Sequence, residues 1–527
     1  MPPVPITDYV YIYEVKQTMS SAMTIDGTTE VAAEMTAVNV EPAAEKSDPT
    51  LAERTTADLI KAAVSGWLGT ALEFMDFQLY SLAAALVFKD IFFGHGSAAV
   101  AIMSAMAVYG VGYVARPIGA WYFGRLGDRI GRTKVLFITI AIMGCATTLI
   151  GALPTFDQVG LLAPALLVVL RLAQGFGAGA EIAGSSVLLA EYAPKKHRGI
   201  VSAFTALGTN SGTLLAGAIW AVLLAWLGND AVVDWGWRIP FLGSVIVMGA
   251  AVFIRMHLKE TPVYEASVEE TIAEYDKPLN KTADAEAEKA RKEAEKKAAA
   301  EIAKTPRSLK AFIVACILRF GQCGTSAMVQ TYLITFMTAN LLVSKSVASS
   351  VVVYSSLVGF ATVPLIGWLG DVFGRKRMYM VVTIIDVFLL VPCFLLMVNN
   401  LGTQTTMEQT SSGLVPHFSN PDLLFFIGYI VLHNLAVLSL ASLENLTMAE
   451  CFGSAHRYEQ LALSKEIPNL IAGGFGPLTA AALVTAFGGS WIAIAAIMAV
   501  CLVLTFLAAV VMPEVAGRDL TTREDAM

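Results

Sequence analysis

Charge is scarce in this chain. Of its 527 residues only 15% are Asp, Glu, Lys or Arg, against about 25% in an ordinary soluble domain, too few to wet a globular surface. Cysteine is also rare. The six present lie almost wholly within or beside apolar stretches and show no metal-type spacing, so neither disulfides nor a zinc site is expected, and the thiols read as small packing groups. No G-x-x-x-x-G-K-[ST] loop occurs, so an ATP-driven pump would require another subunit. The first 60 residues lack a basic region followed by an apolar core and a small-residue cleavage site. With Glu30, Glu34, Glu41, Glu45 and Asp48 scattered among Ala, Thr and Pro, they read as a polar tail. That tail dominates the formal net charge of −7, which therefore carries no information about partners. No nucleic acid, metal or cofactor is expected.

Apolar residues are abundant instead, at 56% with a mean hydropathy of +0.63. Between residues 62 and 512 they gather into twelve segments, each long enough to cross about 30 Å of hydrocarbon as a helix. The expected spans are 62–86, 98–122, 134–153, 161–188, 199–227 and 237–255, then 308–338, 346–368, 378–398, 421–446, 462–486 and 489–512. The fold class is an all-α polytopic membrane protein with twelve transmembrane helices in two six-helix bundles. Its expected parts are a tail (1–60), a first bundle (61–255), a linker (256–307), a second bundle (308–512) and a short tail (513–527).

Basic groups collect in alternate connections, at Arg125, Arg129, Arg132 and Lys134, at Lys195, Lys196 and Arg198, at Lys304, Arg307 and Lys310, and at Arg375, Lys376 and Arg377. The intervening connections carry almost none, which places both termini in the cytoplasm. Within the linker, "ADAEAEKARKEAEKKAAAEIAK" (283–304) sets Glu288 four residues before Lys292 and Glu293 four before Lys297. This predicts a solvated helix serving as a spacer.

Two stretches repeat. "GRLGDRIGR" (124–132) and "GWLGDVFGR" (367–375) match at Gly124 and Gly367, Gly127 and Gly370, Asp128 and Asp371, Gly131 and Gly374, and Arg132 and Arg375. Both copies fall between the second and third spans of a half, so the halves read as repeats. The glycines suit tight turning and close helix approach, and Asp128 can accept from basic groups or helix-end amides of the other bundle. These residues are the expected gate, Asp371 the weaker copy; a plain positive-inside anchor is the alternative.

The same stretches, with "GTALEFMDFQLY" (69–80), "RPIGAWYFGRLGDRIGR" (116–132), "RLAQGFGAGAEIAGSSVLLAEY" (171–192) and "DWGWRIPF" (234–241), resemble the major facilitator superfamily and its metabolite:proton symporter branch. That branch contains bacterial inner-membrane importers of dicarboxylates, citrate, shikimate, and proline or betaine. The resemblance runs from about residue 62 to 512 and weakens at "LENLTMAECFGSAHRYEQLALSKEIPN" (443–469), where a proline-containing aromatic stretch is missing.

Glu73 and Asp76 lie three apart on the first helix, hence on one face, with Tyr80 a turn beyond. An intramembrane carboxylate costs several kcal/mol unless it is paired, hydrated or protonated, which suits a group that takes up and releases a proton. The resemblance implies coupling roles for these positions, with Asp76 preferred and Glu73 its neighbour or substitute; structural pairing with a nearby arginine is the alternative for each. Arg116 and Arg171 are candidate counterions. Arg171, Gln174 and Glu181 share a stripe of the fourth span, and a guanidinium there can exchange an internal carboxylate for a substrate carboxylate; a static Arg171–Glu181 clamp is the alternative. Arg319 and Gln322 on the seventh span, and His433 and Glu444 on the tenth, complete the candidate substrate-binding set. His433 and Glu444 lie close to three full turns apart, so both can face inward, as part of a substrate pocket or as a second titrating pair; plain interhelical hydrogen bonding is the alternative.

These features point to proton-coupled import of a small organic acid by alternating access, in a monomeric bacterial inner-membrane protein whose contacts are substrate, protons and lipid. A zwitterion symporter of the betaine or proline type and an uncoupled facilitator are the alternatives.

Overall fold

A computed structural model describes residues 56–83, 87, 88, 91, 92, 98–256, 305–410 and 413–527. Almost the whole N-terminal tail and the charged helix expected at 283–304 lie outside the described residues.

The first half contains α1 (Thr56–Ala83), α2 (Ala98–Ile130), α3 (Arg132–Gly151), α4 (Leu162–Tyr192), α5 (Arg198–Ala231) and α6 (Arg238–Met256). The second contains α7 (Leu309–Met337), α8 (Lys345–Phe373), α9 (Arg375–Asn399), α10 (Leu423–Cys451), α11 (Arg457–Ala486) and α12 (Ile492–Val511). Eight of these meet the length and hydropathy of a membrane span outright, and the others complete the twelve-helix arrangement. Side chains such as Trp226, Ile246, Phe388 and Leu423 stay exposed, as a surface bathed in lipid tails requires.

Each half has its own apolar core. Tyr80, Phe88, Trp220, Trp237 and Phe241 fill the first, and Met328, Phe336, Phe394, Phe425 and Tyr429 the second. A third cluster, with Phe123, Val187, Leu446, Tyr458 and Leu461, joins the halves at the end where the repeated motifs lie, called here the basic end. The halves meet through α2 against α11 and α5 against α8, two contacts that exchange under the repeat.

The motif is not a loop. Residues 124–130 continue α2 as helix, and the single break is Gly131, at φ 103° and ψ 152°; Gly374 repeats it between α8 and α9 at φ 91° and ψ 154°. Only glycine adopts that backbone region readily. The glycines inside the helical part serve close approach rather than turning.

Two further features were not expected. The connection after α9 folds into an antiparallel hairpin, β1 (Thr403–Thr410) and β2 (Gly413–Asn420), with Met407 opposite Pro416. It is tied to the start of α8, since Ser344 N donates to Phe418 O (2.9 Å) and Phe418 N to Leu342 O (2.7 Å). Three second-half helices also widen into π turns, at Ala327–Tyr332, Asn434–Ser439 and Asn469–Gly474. Such turns are common at functional sites, and these flank the polar residues of the second bundle.

Candidate functional site

The α1 carboxylates enter two networks. Thr147 Oγ1 of α3 donates to Asp76 Oδ2 at 2.7 Å, Gln174 Nε2 donates to Thr147 Oγ1 at 2.8 Å, and Arg171 Nη1 donates to Gln174 Oε1. Arg171 and Gln174 are therefore adjacent on α4, as their spacing implied. The Arg171 guanidinium also lies 4.0 Å from the Tyr80 ring centroid and 4.8 Å from that of Phe77, a cation–π pocket that holds a charge away from water. Glu181, on the same helix, accepts from Thr139 Oγ1 at 2.9 Å and Ser185 Oγ at 3.4 Å.

Glu73 pairs with Arg116, whose Nη2 is 2.5 Å from Glu73 Oε1. Arg116 also donates to Glu466 of α11, from Nε to Oε2 at 2.7 Å and from Nη2 to Oε1 at 3.2 Å. Asp76 Oδ1 and Glu73 Oε2 are buried without a hydrogen-bond partner among the described residues.

In the second bundle Arg319 Nη1 donates to Gln322 Oε1 at 2.7 Å and to Glu444 Oε2 at 3.2 Å. Lys465 Nζ lies 3.3 Å from Glu444 Oε1 and donates to Asn445 Oδ1. His433 belongs to a different cluster, with Nδ1 2.6 Å from Ser355 Oγ and Nε2 2.9 Å from Gln330 Nε2. The expected His433–Glu444 pair therefore does not form. The π turn at Asn434–Ser439 separates the two residues and shifts the helix phase on which the spacing argument relied.

At the basic end the two motif copies are mirrored. Asp128 accepts from Tyr458 N (3.2 Å) and Glu459 N (3.1 Å) at the start of α11. Asp371 accepts from Gly199 N (2.7 and 2.9 Å, one to each oxygen) and Ile200 N (3.2 Å) at the start of α5. Arg132 and Arg457 meet on Glu191, at 3.4 and 2.7 Å, while Arg375 and Arg198 meet on Glu450, at 3.1 and 3.9 Å. Each aspartate thus sits where a helix N-terminus favours negative charge. Gly124 and Gly127 face the Glu459 backbone and the Tyr458 ring, and Gly370 faces Arg375 and Leu443. The expectation that Asp371 is the weaker copy is corrected, because it receives the same kind of helix-end amides as Asp128.

Sequence reasoning passed over Glu191, Lys465, Glu466 and Asp386 of α9, a buried carboxylate whose Oδ2 has no partner among the described residues. A signal for Glu191 was present: "LLAEY" and "TMAEC" both close apolar spans with Ala-Glu.

Residues 31–526 match the family model described as "Sugar (and other) transporter". The chain is 45% identical over 452 residues to the putative transporter YdfJ of Escherichia coli (strain K12), covering 86% of this chain and 96% of that one. It is 31% identical over 444 residues to the shikimate transporter of the same strain, covering 84% and 92% respectively. Its fold matches the proton:xylose symporter XylE bound to 6-bromo-6-deoxy-D-glucose with a TM-score of 0.66, covering 89% and 99% of the two chains at 17% identity. The chain belongs to the sugar and metabolite transporter family of the major facilitator superfamily. It is a multi-pass membrane transporter and not an enzyme.

Proposed function

We propose that this chain is a proton-coupled secondary transporter that imports a small organic acid across a bacterial inner membrane, with both termini and the basic end in the cytoplasm. The observation that carries this reading is the pair of arginines buried inside the first bundle. Arg116 and Arg171 are 3% and 0% exposed, and each is held by groups that a ligand carboxylate can replace. A guanidinium recognises a carboxylate by two parallel hydrogen bonds, and the named substrate of one relative, shikimate, carries that group.

Asp76 is the proton site in this reading, with Glu73 its neighbour; each keeps one oxygen free for a proton. The networks around Arg319, Gln322 and Glu444, and around His433, supply the second bundle's half of the pocket. Opening at either end then carries substrate and proton together across a fixed site. The zwitterion alternative shares the carboxylate, and the uncoupled alternative shares the fold. Uptake into energised vesicles of labelled organic acids, sugars and betaines, with and without a protonophore, separates all three. Accumulation of an acid that collapses with protonophore is the expected result, and acid counterflow indifferent to the gradient in all respects refutes coupling.

A further inference from the structure

Glu466 makes an ion pair between the two bundles at the depth of the candidate site. On α11 two adjacent side chains run to opposite bundles: Lys465 turns to Glu444 and Asn445 of α10, and Glu466 turns to Arg116 of α2. Arg116 is therefore shared by a carboxylate of its own bundle, Glu73, and one from the other. Glu466 takes two donor nitrogens of the guanidinium, one per carboxylate oxygen, which is the geometry by which an arginine binds a free carboxylate.

Glu466 also has somewhere to go. Asn469 Nδ2 lies 3.3 Å from Oε2, and the positive charges of Arg319 and Lys465 act on Glu466, so release from Arg116 does not strand the charge, which would cost several kcal/mol. The π turn at Asn469–Gly474 begins three residues later, where the helix is already wound off its regular repeat. The other charged groups acting on this cluster are Glu73 and Glu181 from the first bundle and Glu444 and Arg319 from the second.

We propose that Glu466 is an internal stand-in for the substrate carboxylate: it holds Arg116 while the site is empty and is displaced on loading, so that binding itself severs a tie between the bundles. It is a positioning residue acting through Arg116. The inference rests on the carboxylate reading above and adds to it the contact that links occupancy to movement.

The test uses the purified full-length protein, its Glu466→Gln and Glu466→Asp variants, and shikimate, citrate and succinate as probes. Binding is measured by calorimetry, and opening of the basic end by labelling of Ala190→Cys and Ala449→Cys, two positions fully buried there. With its internal competitor neutralised, E466Q binds the preferred acid about tenfold more tightly. It also labels faster than the parent without ligand, and added acid accelerates labelling little further. E466D, which keeps the charge, returns towards the parent on both counts. A purely structural role weakens binding in E466Q, so a loss or no change of affinity overturns the proposal. An acid that binds parent and E466Q equally overturns the displacement and leaves the carboxylate reading standing. If no acid binds either protein while E466Q still labels faster, the carboxylate reading itself falls, and the displacement with it.

Discussion

Asp128→Asn is the sharpest perturbation of the basic end, because the side chain keeps its size and loses only its charge. In the parent each carboxylate oxygen accepts one amide at the start of α11, from Tyr458 and Glu459, and Arg132 stands 3.7 Å away. A hydrogen bond to a charged group contributes about 1.5–3 kcal/mol. Asparagine offers one neutral acceptor to one amide and turns an N–H towards the other, so the closed arrangement loses about 2–4 kcal/mol. At 1.4 kcal/mol per decade this shifts the ratio of closed to open basic end by about 30-fold to several hundredfold. The fold itself survives, since each bundle keeps its own apolar core, around Trp220 and Phe241 in the first and Phe394 and Phe425 in the second. The assay is labelling of Ala190→Cys and Ala449→Cys in a protein otherwise freed of its six cysteines. D128N labels faster at both. Asp371→Asn has at least as large an effect, because Asp371 accepts three amide contacts and pairs with Arg375 at 2.6 Å. Labelling identical to the parent in D128N refutes the latch and returns the motif to a signal for membrane orientation.

Three other outcomes are expected. Asp76→Asn abolishes gradient-driven accumulation while preserving folding and some exchange, and protonophore-sensitive accumulation equal to the parent at equal membrane abundance contradicts the assignment. Arg171→Lys keeps the charge but loses the fork that reaches Gln174 and the flat face over Tyr80, so acid binding weakens about tenfold while a neutral competitor is unaffected; unchanged acid affinity on folded protein counts against it. Leu520→Asp destabilises the purified protein by about 2–3 kcal/mol and lowers its melting temperature by several degrees, because the Leu520 side chain is buried in the inter-bundle cluster; an unaltered melting curve refutes that role for the segment after α12.

What was legible in the sequence followed from local patterning. Twelve apolar runs give twelve helices because lipid leaves the backbone no other partner, and the matched Gly131 and Gly374 mark the same backbone break twice. The Arg171–Gln174 and Arg319–Gln322 contacts follow from spacing on one helix. Contacts between helices were less accessible. Nothing in "SKEIPN" tells which bundle Glu466 addresses, since adjacent residues of a helix point about 100° apart and the answer depends on what packs on either side. The π turns are similarly silent in sequence, yet one of them decides that His433 and Glu444 do not meet. The hairpin after α9 was hidden because hydropathy identifies that stretch only as a connection.

The distribution of charge in the two networks bears on how such a protein can move at all. A buried ion pair stabilises little in net terms once desolvation is counted, but removing one partner costs several kcal/mol. A triad in which the central charge has two partners softens that penalty during exchange. Arg116 stands between Glu73 and Glu466, Glu444 between Arg319 and Lys465, Glu191 between Arg132 and Arg457, and Glu450 between Arg375 and Arg198. In the first, third and fourth of these triads one contact joins the bundles and the other stays within one bundle. Opening the basic end can therefore break the contact between bundles while the local partner retains the charge, which keeps the closed and open arrangements within reach of the energy a single ligand supplies.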